Sequence, residues 1–195
     1  PLLGVRSVRV EGNERLANEE VLEAAQVHTG KSMLRLDSEE IRSRLEGIPK
    51  VVSADVRLSW PSTITLDVTE RTPMAFTLSG KGIELLDGGG TSFDVVQEPP
   101  SKLPELRVRN VSAQDPATKS AMVAVRAIPP DLRARTKSVT ATGPRDVRLR
   151  LKDGRTVEWG GPKQAARKAA IVPILLRQPG KVYDVTSPDL PTVAS

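Results

Sequence analysis

Eight apolar residues on either side of a short break constrain this chain more than any other feature. Val52, Ala54, Val56, Leu58 and Trp60 alternate with other residues, and Ile64, Leu66 and Val68 resume the alternation after Pro61-Ser62-Thr63. A two-residue period places side chains of one parity on one face of a sheet. All eight occupy even positions, so facing them the same way after the chain reverses requires an odd-length connection, which residues 61–63 supply. The stretch predicts a long antiparallel hairpin with one buried face.

The residues upstream complete a small module. Val8 and Val10 alternate with Ser7, Arg9 and Glu11, the pattern of a half-buried strand, and Gly12-Asn13 permits a sharp corner. Asn18 is placed to cap a helix carrying Val21, Leu22 and Ala25 on one face. Asp37 with Glu40 three residues later opens a second helix, in which Ile41, Leu45 and Ile48 repeat at helical spacing before Pro49 stops it. The order strand, helix, helix, strand, strand predicts two helices on one face of a three-stranded sheet. Such a module offers exposed backbone edges and no catalytic cleft.

Charge divides the chain near Arg71–Met74. Residues 1–72 carry 10 Lys/Arg against 12 Asp/Glu, whereas residues 133–177 carry 12 against 3. The second region is therefore basic, and its pattern is different: short strands at 75–78, 83–86, 92–96 and 106–111, separated by glycines and prolines. Ser112 or Asp115 opens a helix through Met122 and Val125 that ends at Pro129-Pro130. Val147, Leu149 and Leu151 alternate with arginines and a lysine. A three-residue loop, Lys152-Asp153-Gly154, sets Leu149 opposite Val157 and Val147 opposite Trp159. A helix follows Gly161-Pro162 and is expected to kink or end at Pro173. The last strand is expected over 182–186, with a loose tail beyond Asp189.

Few residues suggest chemistry. Cysteine is absent, which excludes disulfides, thiolate catalysis and Cys-ligated zinc, and His28 is the sole histidine. The glycines at 80, 82 and 88–90 lack the strand-loop-helix setting of a phosphate cradle. Glu19-Glu20 and Glu39-Glu40 fall in first helical turns, where they complement the helix dipole. No spacing argues that Asp87, Asp94, Asp153 and Asp184 converge. No run approaches the roughly 20 apolar residues of a membrane span. The basic stretch reads as a solvated face, since Arg148, Arg150 and Lys152 oppose the apolar side of their strand; a lipid, acidic-protein or nucleic-acid contact is the functional alternative.

Several segments together resemble the extracytoplasmic region of the bacterial cell-division family FtsQ/DivIB. They are Val8-Arg9-Val10-Glu11-Gly12-Asn13, residues 30–37 (Gly-Lys-Ser-Met-Leu-Arg-Leu-Asp), Ile48-Pro49-Lys50-Val51, Trp60-Pro61-Ser62-Thr63-Ile64, Val68-Thr69-Glu70-Arg71-Thr72-Pro73, and Leu86-Asp87 with the glycines after it. Near the end, Val182-Tyr183-Asp184-Val185-Thr186-Ser187-Pro188 matches as well. The resemblance implies an α+β chain. A polypeptide-transport-associated (POTRA) domain, β-α-α-β-β with its helices on one face of a three-stranded sheet, would occupy 1–72. A β-rich domain with flanking helices would occupy 73–195.

It further implies a non-enzymatic divisome scaffold without cofactor or metal, held in the cell membrane by one upstream helix. This region would be extracytoplasmic, enriched at the septum and engaged in organising septal peptidoglycan synthesis. The implied partners are FtsB and its companion FtsL, bound by strand addition to the terminal β strand, which maps onto Val182, Tyr183, Asp184, Val185, Thr186 and Ser187. Residues 51–60 and 70–73 are the places to look for further divisome contacts. On this reading Tyr183 is an interface anchor, and Tyr183→Ala or a proline at Val185 abolishes binding while the fold survives. Two other readings remain open: a POTRA-bearing outer-membrane assembly or secretion factor, and a basic nucleic-acid-binding module.

Overall fold

The computed structural model describes residues 3–195. Its contacts divide the chain into two compact units, Pro1–Arg71 and Thr72–Ser195.

The first unit runs β1 (Ser7–Glu11), α1 (Asn18–Ala25), a 3-10 turn (Met33–Arg35), α2 (Ser38–Glu46), β2 (Val51–Ser59) and β3 (Thr63–Glu70). Its sheet has the order β1-β3-β2, with β1 parallel and β2 antiparallel to β3. Ala54 pairs with Val68, Val56 with Leu66 and Leu58 with Ile64, so the shared parity becomes one apolar face. Val21 and Ala25 of α1 and Ile41 and Leu45 of α2 share one buried cluster with Ile64, Leu66 and Val68. Val52 and Trp60 depart from the pattern, Trp60 because it lies beyond the end of β2. A register shift between Val51 and Ser53 exchanges their faces, so Val51 is buried and Val52 is 53% exposed.

The helix starts obey different local chemistry. Asp37 caps α2, its Oδ1 accepting from Glu39 N at 3.0 Å and Glu40 N at 3.2 Å. Asn18, expected to cap α1, is instead its first residue and accepts from Asn13 Nδ2 at 2.8 Å. The cap position falls to Ala17, whose N–H donates to the Glu20 carboxylate at 2.9 Å.

The second unit contains β4 (Ala75–Ser79), β5 (Gly82–Leu86), β6 (Ser92–Val96), β7 (Glu105–Val108), α3 (Pro116–Ala127), α4 (Pro130–Arg135), β8 (Thr136–Ala141), β9 (Val147–Leu151), β10 (Thr156–Gly160), α5 (Ala165–Leu175), β11 (Val182–Asp184) and β12 (Thr192–Ala194). Its nine strands form one sheet in the order β12-β11-β10-β9-β8-β7-β4-β5-β6. Buried residues of α3 and α5 share a core with Leu149, Val157, Trp159, Tyr183 and Val185, and Phe76, Leu85 and Phe93 form a smaller cluster.

Two features correct the expectations. The elements α4 and β8 carry no clear alternation. Thr136 and Ser138 are both buried on β8, Thr136 opposite Leu151 and Ser138 opposite Arg150, and the Thr136 hydroxyl is satisfied by Leu132 O at 2.8 Å. The β9–β10 hairpin has the expected three-residue loop and pairs Leu149 with Val157, but a bulge between Glu158 and Gly160 sets Val147 opposite Gly160 rather than Trp159. Helix α5 ends at Leu175, two residues past Pro173 and close to the expected stop, with Leu176 N bonded to Val172 O at 3.0 Å.

Candidate partner-binding edge

The end of the second unit is built by a hairpin, a helix and two short strands. After β10 the chain forms α5 and returns as β11, parallel to β10: Thr156 pairs with Val182, Val157 with Tyr183 and Glu158 with Asp184. Val185 extends the ladder, its N–H donating to Glu158 O at 2.9 Å. The strand then ends because Asp184 Oδ1 accepts from Thr186 N at 2.8 Å and Thr186 Oγ1 at 2.6 Å, a local turn that competes with the ladder.

Ser187-Pro188-Asp189-Leu190 reverses the chain, with Leu190 N donating to Ser187 O at 2.9 Å and proline at the second turn position. The chain comes back as β12, antiparallel to β11, with Tyr183 opposite Val193. Lys181 N donates to Ala194 O at 2.8 Å. The approach is close: a Cβ on Gly180 would stand 2.4 Å from Val193 Cγ1, so only glycine fits there without displacing β12.

The expected edge is therefore covered. Val182, Tyr183 and Asp184 lie in an interior strand between β10 and β12, and residues 192–194, expected to be loose, form the border. Tyr183 is fully buried rather than presented as an anchor. Its hydroxyl lies 2.6 Å from Gln178 O and 3.1 Å from Gly180 O, and Arg155 Nη1 reaches it at 3.3 Å. The Arg155 guanidinium lies 5.5 Å from the ring centroid and pairs with Asp153 at 2.8 Å. Its hydrogen bond to Asp153, then that to Tyr183, holds the guanidinium above its usual pKa. Val185 is likewise buried, while Thr186 and Ser187 face a cavity with Lys163, Gln164 and Lys168. Substituting Tyr183 thus tests the core and the edge together, and the expectation that its loss spares the fold does not survive. The turn signal Ser187-Pro188-Asp189, followed by a second β-branched run, was the legible cue to β12.

Other candidate groups stay apart. His28 is exposed in a turn, with its carbonyl accepting from Lys31 N. Asp87 Oδ1 closes its own loop on Gly89 N and Thr91 N. Among the described residues no three His, Cys, Asp or Glu are gathered to hold a metal, and no helix is long and apolar enough to cross a membrane. Several cations of the basic stretch bind the chain itself. Arg133 donates to Val125 O and Ile128 O, Arg148 pairs with Glu158, and Lys152 Nζ donates to Ser101 O.

Comparison with known proteins accounts for nearly the whole chain. Residues 3–71 match the POTRA domain, FtsQ-type, and residues 75–190 match the C-terminal region of cell division protein FtsQ/DivIB. Cell division protein FtsQ of Mycobacteroides abscessus is 37% identical over 99% of this chain and 62% of its own length. That of Streptomyces coelicolor is 32% identical over 87% of this chain and 69% of its own. The extracytoplasmic domain of DivIB from Geobacillus stearothermophilus overlaps with a TM-score of 0.42 at 19% identity, over 55% of this chain and 92% of that one. The chain spans about three-fifths of the M. abscessus relative. With a POTRA unit, a β-rich unit and two adjoining family matches, this chain belongs to the FtsQ/DivIB family of cell division proteins.

Proposed function

We propose that this chain is a non-enzymatic scaffold of the division machinery, binding an extended segment of FtsB, itself paired with FtsL, by strand addition to the outer border of β12. The observation that carries this reading is the sheet order, in which β12 is terminal and β11 is not. A border strand has backbone N–H and C=O groups on its outer side that a partner strand can pair. Val182, Tyr183, Asp184, Val185, Thr186 and Ser187 then act one layer inward. Tyr183 and Val185 anchor the sheet, and Asp184, Thr186 and Ser187 form the turn that delivers residues 192–194 to the border.

In the whole protein a membrane anchor would hold this region outside the cytoplasm at the septum, where it helps organise peptidoglycan synthesis. The first unit supports a second contact. Its border strand β2 is nine residues long, and Val52 near its start and Trp60 just past its end are each 53% exposed.

Titration calorimetry against the extracytoplasmic FtsB–FtsL pair tests the main claim. Val193→Pro removes a backbone donor from β12 and is expected to weaken binding about tenfold or more, the worth of roughly one or two backbone hydrogen bonds. Val95→Pro on β6, at the opposite border, is the control, because the Val95 N–H is bonded to Asp94 Oδ1 at 2.9 Å. Equal affinity for the Val193 variant and the unaltered chain would rule out strand addition at this border.

A further inference from the structure

The turn from β10 into α5 and the connection after β11 border an open cavity of about 650 Å³. Small-molecule sites occupy roughly 300–1,000 Å³. Three cations line it, Arg145, Lys163 and Lys168, against one carboxylate, Asp189, which already pairs with Arg167 at 2.5 Å. The topology is strand, helix, parallel strand, so the cavity opens where β10 ends and α5 begins. In such units the free N–H groups of the first helical turn and the positive end of the helix dipole favour an anion at that place. Helix α5 has eleven residues, no side-chain cap at Gln164 and no acidic residue in its first turn. Gly160, with φ 79°, lets the turn approach the β11 exit, since a Cβ there would lie 2.8 Å from Thr186 Cγ2.

A second, separate observation is the state of Lys168. Only 2% of this residue is exposed, although lysines are almost never fully buried without an anionic partner. Helical side chains lean toward the helix start, and the Lys168 ammonium accordingly reaches back over the first turn to donate to Gly161 O at 2.9 Å. That neutral carbonyl takes one of its three N–H groups. No carboxylate lies within ion-pair distance of it among the described residues. Asp184 attracts it from farther away, but Asp184 Oδ1 already accepts from Thr186. Burial draws the ammonium below the ordinary lysine pKa, with Asp184 opposing. Beside it the Trp159 ring centroid lies 5.6 Å from Nζ, and the indole Nε1 has no hydrogen-bond partner. The site is thus a cavity of mixed lining beside a buried positive charge without an anion.

We propose that this cavity binds a phosphate group, seated on the first turn of α5 and neutralised by Lys168, Lys163 and Arg145. Asp189 is held by Arg167, so it offsets none of the three lining cations, and the wall suits a dianionic phosphate monoester. A single carboxylate would leave two of them uncompensated. Lys163 is followed by Gln164 rather than Ser or Thr, so the turn lacks the hydroxyl that holds magnesium in a nucleotide-hydrolysing loop. The role is therefore binding, without phosphoryl transfer. The site does not depend on strand addition at β12.

Amide NMR titration of the 195-residue chain with sodium phosphate, against sodium chloride at equal ionic strength, tests the proposal. The expected result is saturable shifts at Gly161, Lys163, Gln164, Ala165 and Ala166 with phosphate alone. Lys163→Ala and Arg145→Ala, both at exposed positions, are expected to weaken binding about tenfold each, roughly one charge-assisted hydrogen bond apiece. Lys168→Met is expected to abolish it; should that variant not fold, the two exposed substitutions decide.

Sedimentation with phosphatidylcholine vesicles containing phosphatidic acid or phosphatidylglycerol identifies the source. A preference for phosphatidic acid that Lys163→Ala removes marks a lipid headgroup, and phosphate binding without it marks a soluble phosphate ester. The proposal is overturned by shifts that chloride reproduces, by shifts spread over the basic surface, or by a response unchanged in the Lys163 and Arg145 variants. Absence of binding in both arms overturns it equally.

Discussion

Each unit fastens a loop to its sheet through one polar side chain, distant in sequence for the first and adjacent for the second, and the two do so with opposite chemistry. In the POTRA unit the Glu70 carboxylate, at the end of β3, accepts from the backbone N–H groups of Glu14, Arg15 and Leu16 at 2.7–3.0 Å. In the β-rich unit the neutral Tyr183 hydroxyl, on β11, meets the carbonyls of Gln178 and Gly180. The first clasp is ionic and partly solvated, the second neutral and fully buried. The strands they end differ too. β3 lies at the centre of its sheet, whereas β11 lies one step inside a border. The contrast teaches that a strand late in the sequence need not be an edge, and that a polar residue near a strand end can be a fastening rather than a contact surface.

Substitutions can break that contrast, beginning with the buried clasp. Tyr183→Ala removes a buried aromatic together with the one donor shared by the carbonyls of Gln178 and Gly180. It should destabilise the β-rich unit by about 3–5 kcal/mol, the range for aromatic-to-alanine changes in cores. Each unit contains one tryptophan, Trp60 and Trp159, so denaturation followed by Trp159 fluorescence in a Trp60→Phe background reads that unit alone. A native-like midpoint would contradict the buried placement of Tyr183.

Glu70→Gln comes next. It keeps the shape but removes the charge accepting three backbone N–H groups, and a loss of roughly 1–3 kcal/mol in the POTRA unit is expected. The pH dependence sharpens the point. Desolvation alone would raise the Glu70 carboxyl pKa, but the N–H groups of Leu16, Arg15 and Glu14 outweigh it and the net shift is downward. A carboxyl depressed in the folded state contributes stability above its unfolded pKa and loses that contribution as pH falls through the folded value. The gap between the unaltered chain and Glu70→Gln should therefore be full at neutral pH and shrink on acidification below the ordinary glutamate range. A gap independent of pH would mean that the charge is not what holds residues 14–16.

Tyr183→Phe isolates the hydroxyl and should cost about 1–2 kcal/mol, since the hydrogen bond made by its single proton to the 178–180 turn is lost while the ring still packs. The smallest effect is expected at Trp60→Ala. That side chain is 53% exposed, so stability should move by no more than about 0.5 kcal/mol. A larger loss would show that Trp60 packs into the POTRA core after all.

Much of the fold was legible because burial leaves a period in the sequence. Ile64, Leu66 and Val68 on β3 and Val147, Leu149 and Leu151 on β9 repeat at two and are buried, and Ile41 and Leu45 on α2 repeat at four and are buried. What periodicity cannot carry is pairing. Nothing in the alternation of 182–185 distinguishes an edge from an interior strand, because the same side chains are buried either way. The difference lies in backbone partners supplied by residues 192–194. Bulges were equally silent: Val52 keeps the parity of Ala54, and only the register shift beside Ser53 turns it outward. Strand β8 escaped because its buried Thr136 and Ser138 are polar, the Thr136 hydroxyl being satisfied locally by Leu132 O. At the α5 turn the cue was Gly160-Gly161 between a strand and a helix, with Lys163 and Lys168 close behind. The parallel partner that makes such a turn meaningful is not visible locally.

The central claim is that β12 is the border met by a partner strand. Backbone hydrogen–deuterium exchange, with and without the extracytoplasmic FtsB–FtsL pair, tests it most directly. Slowed exchange in peptides covering residues 192–194, with β6 unchanged, is the expected result. Protection confined to β2 or β6, or faster exchange at 192–194 as a partner displaces that strand from β11, would contradict it.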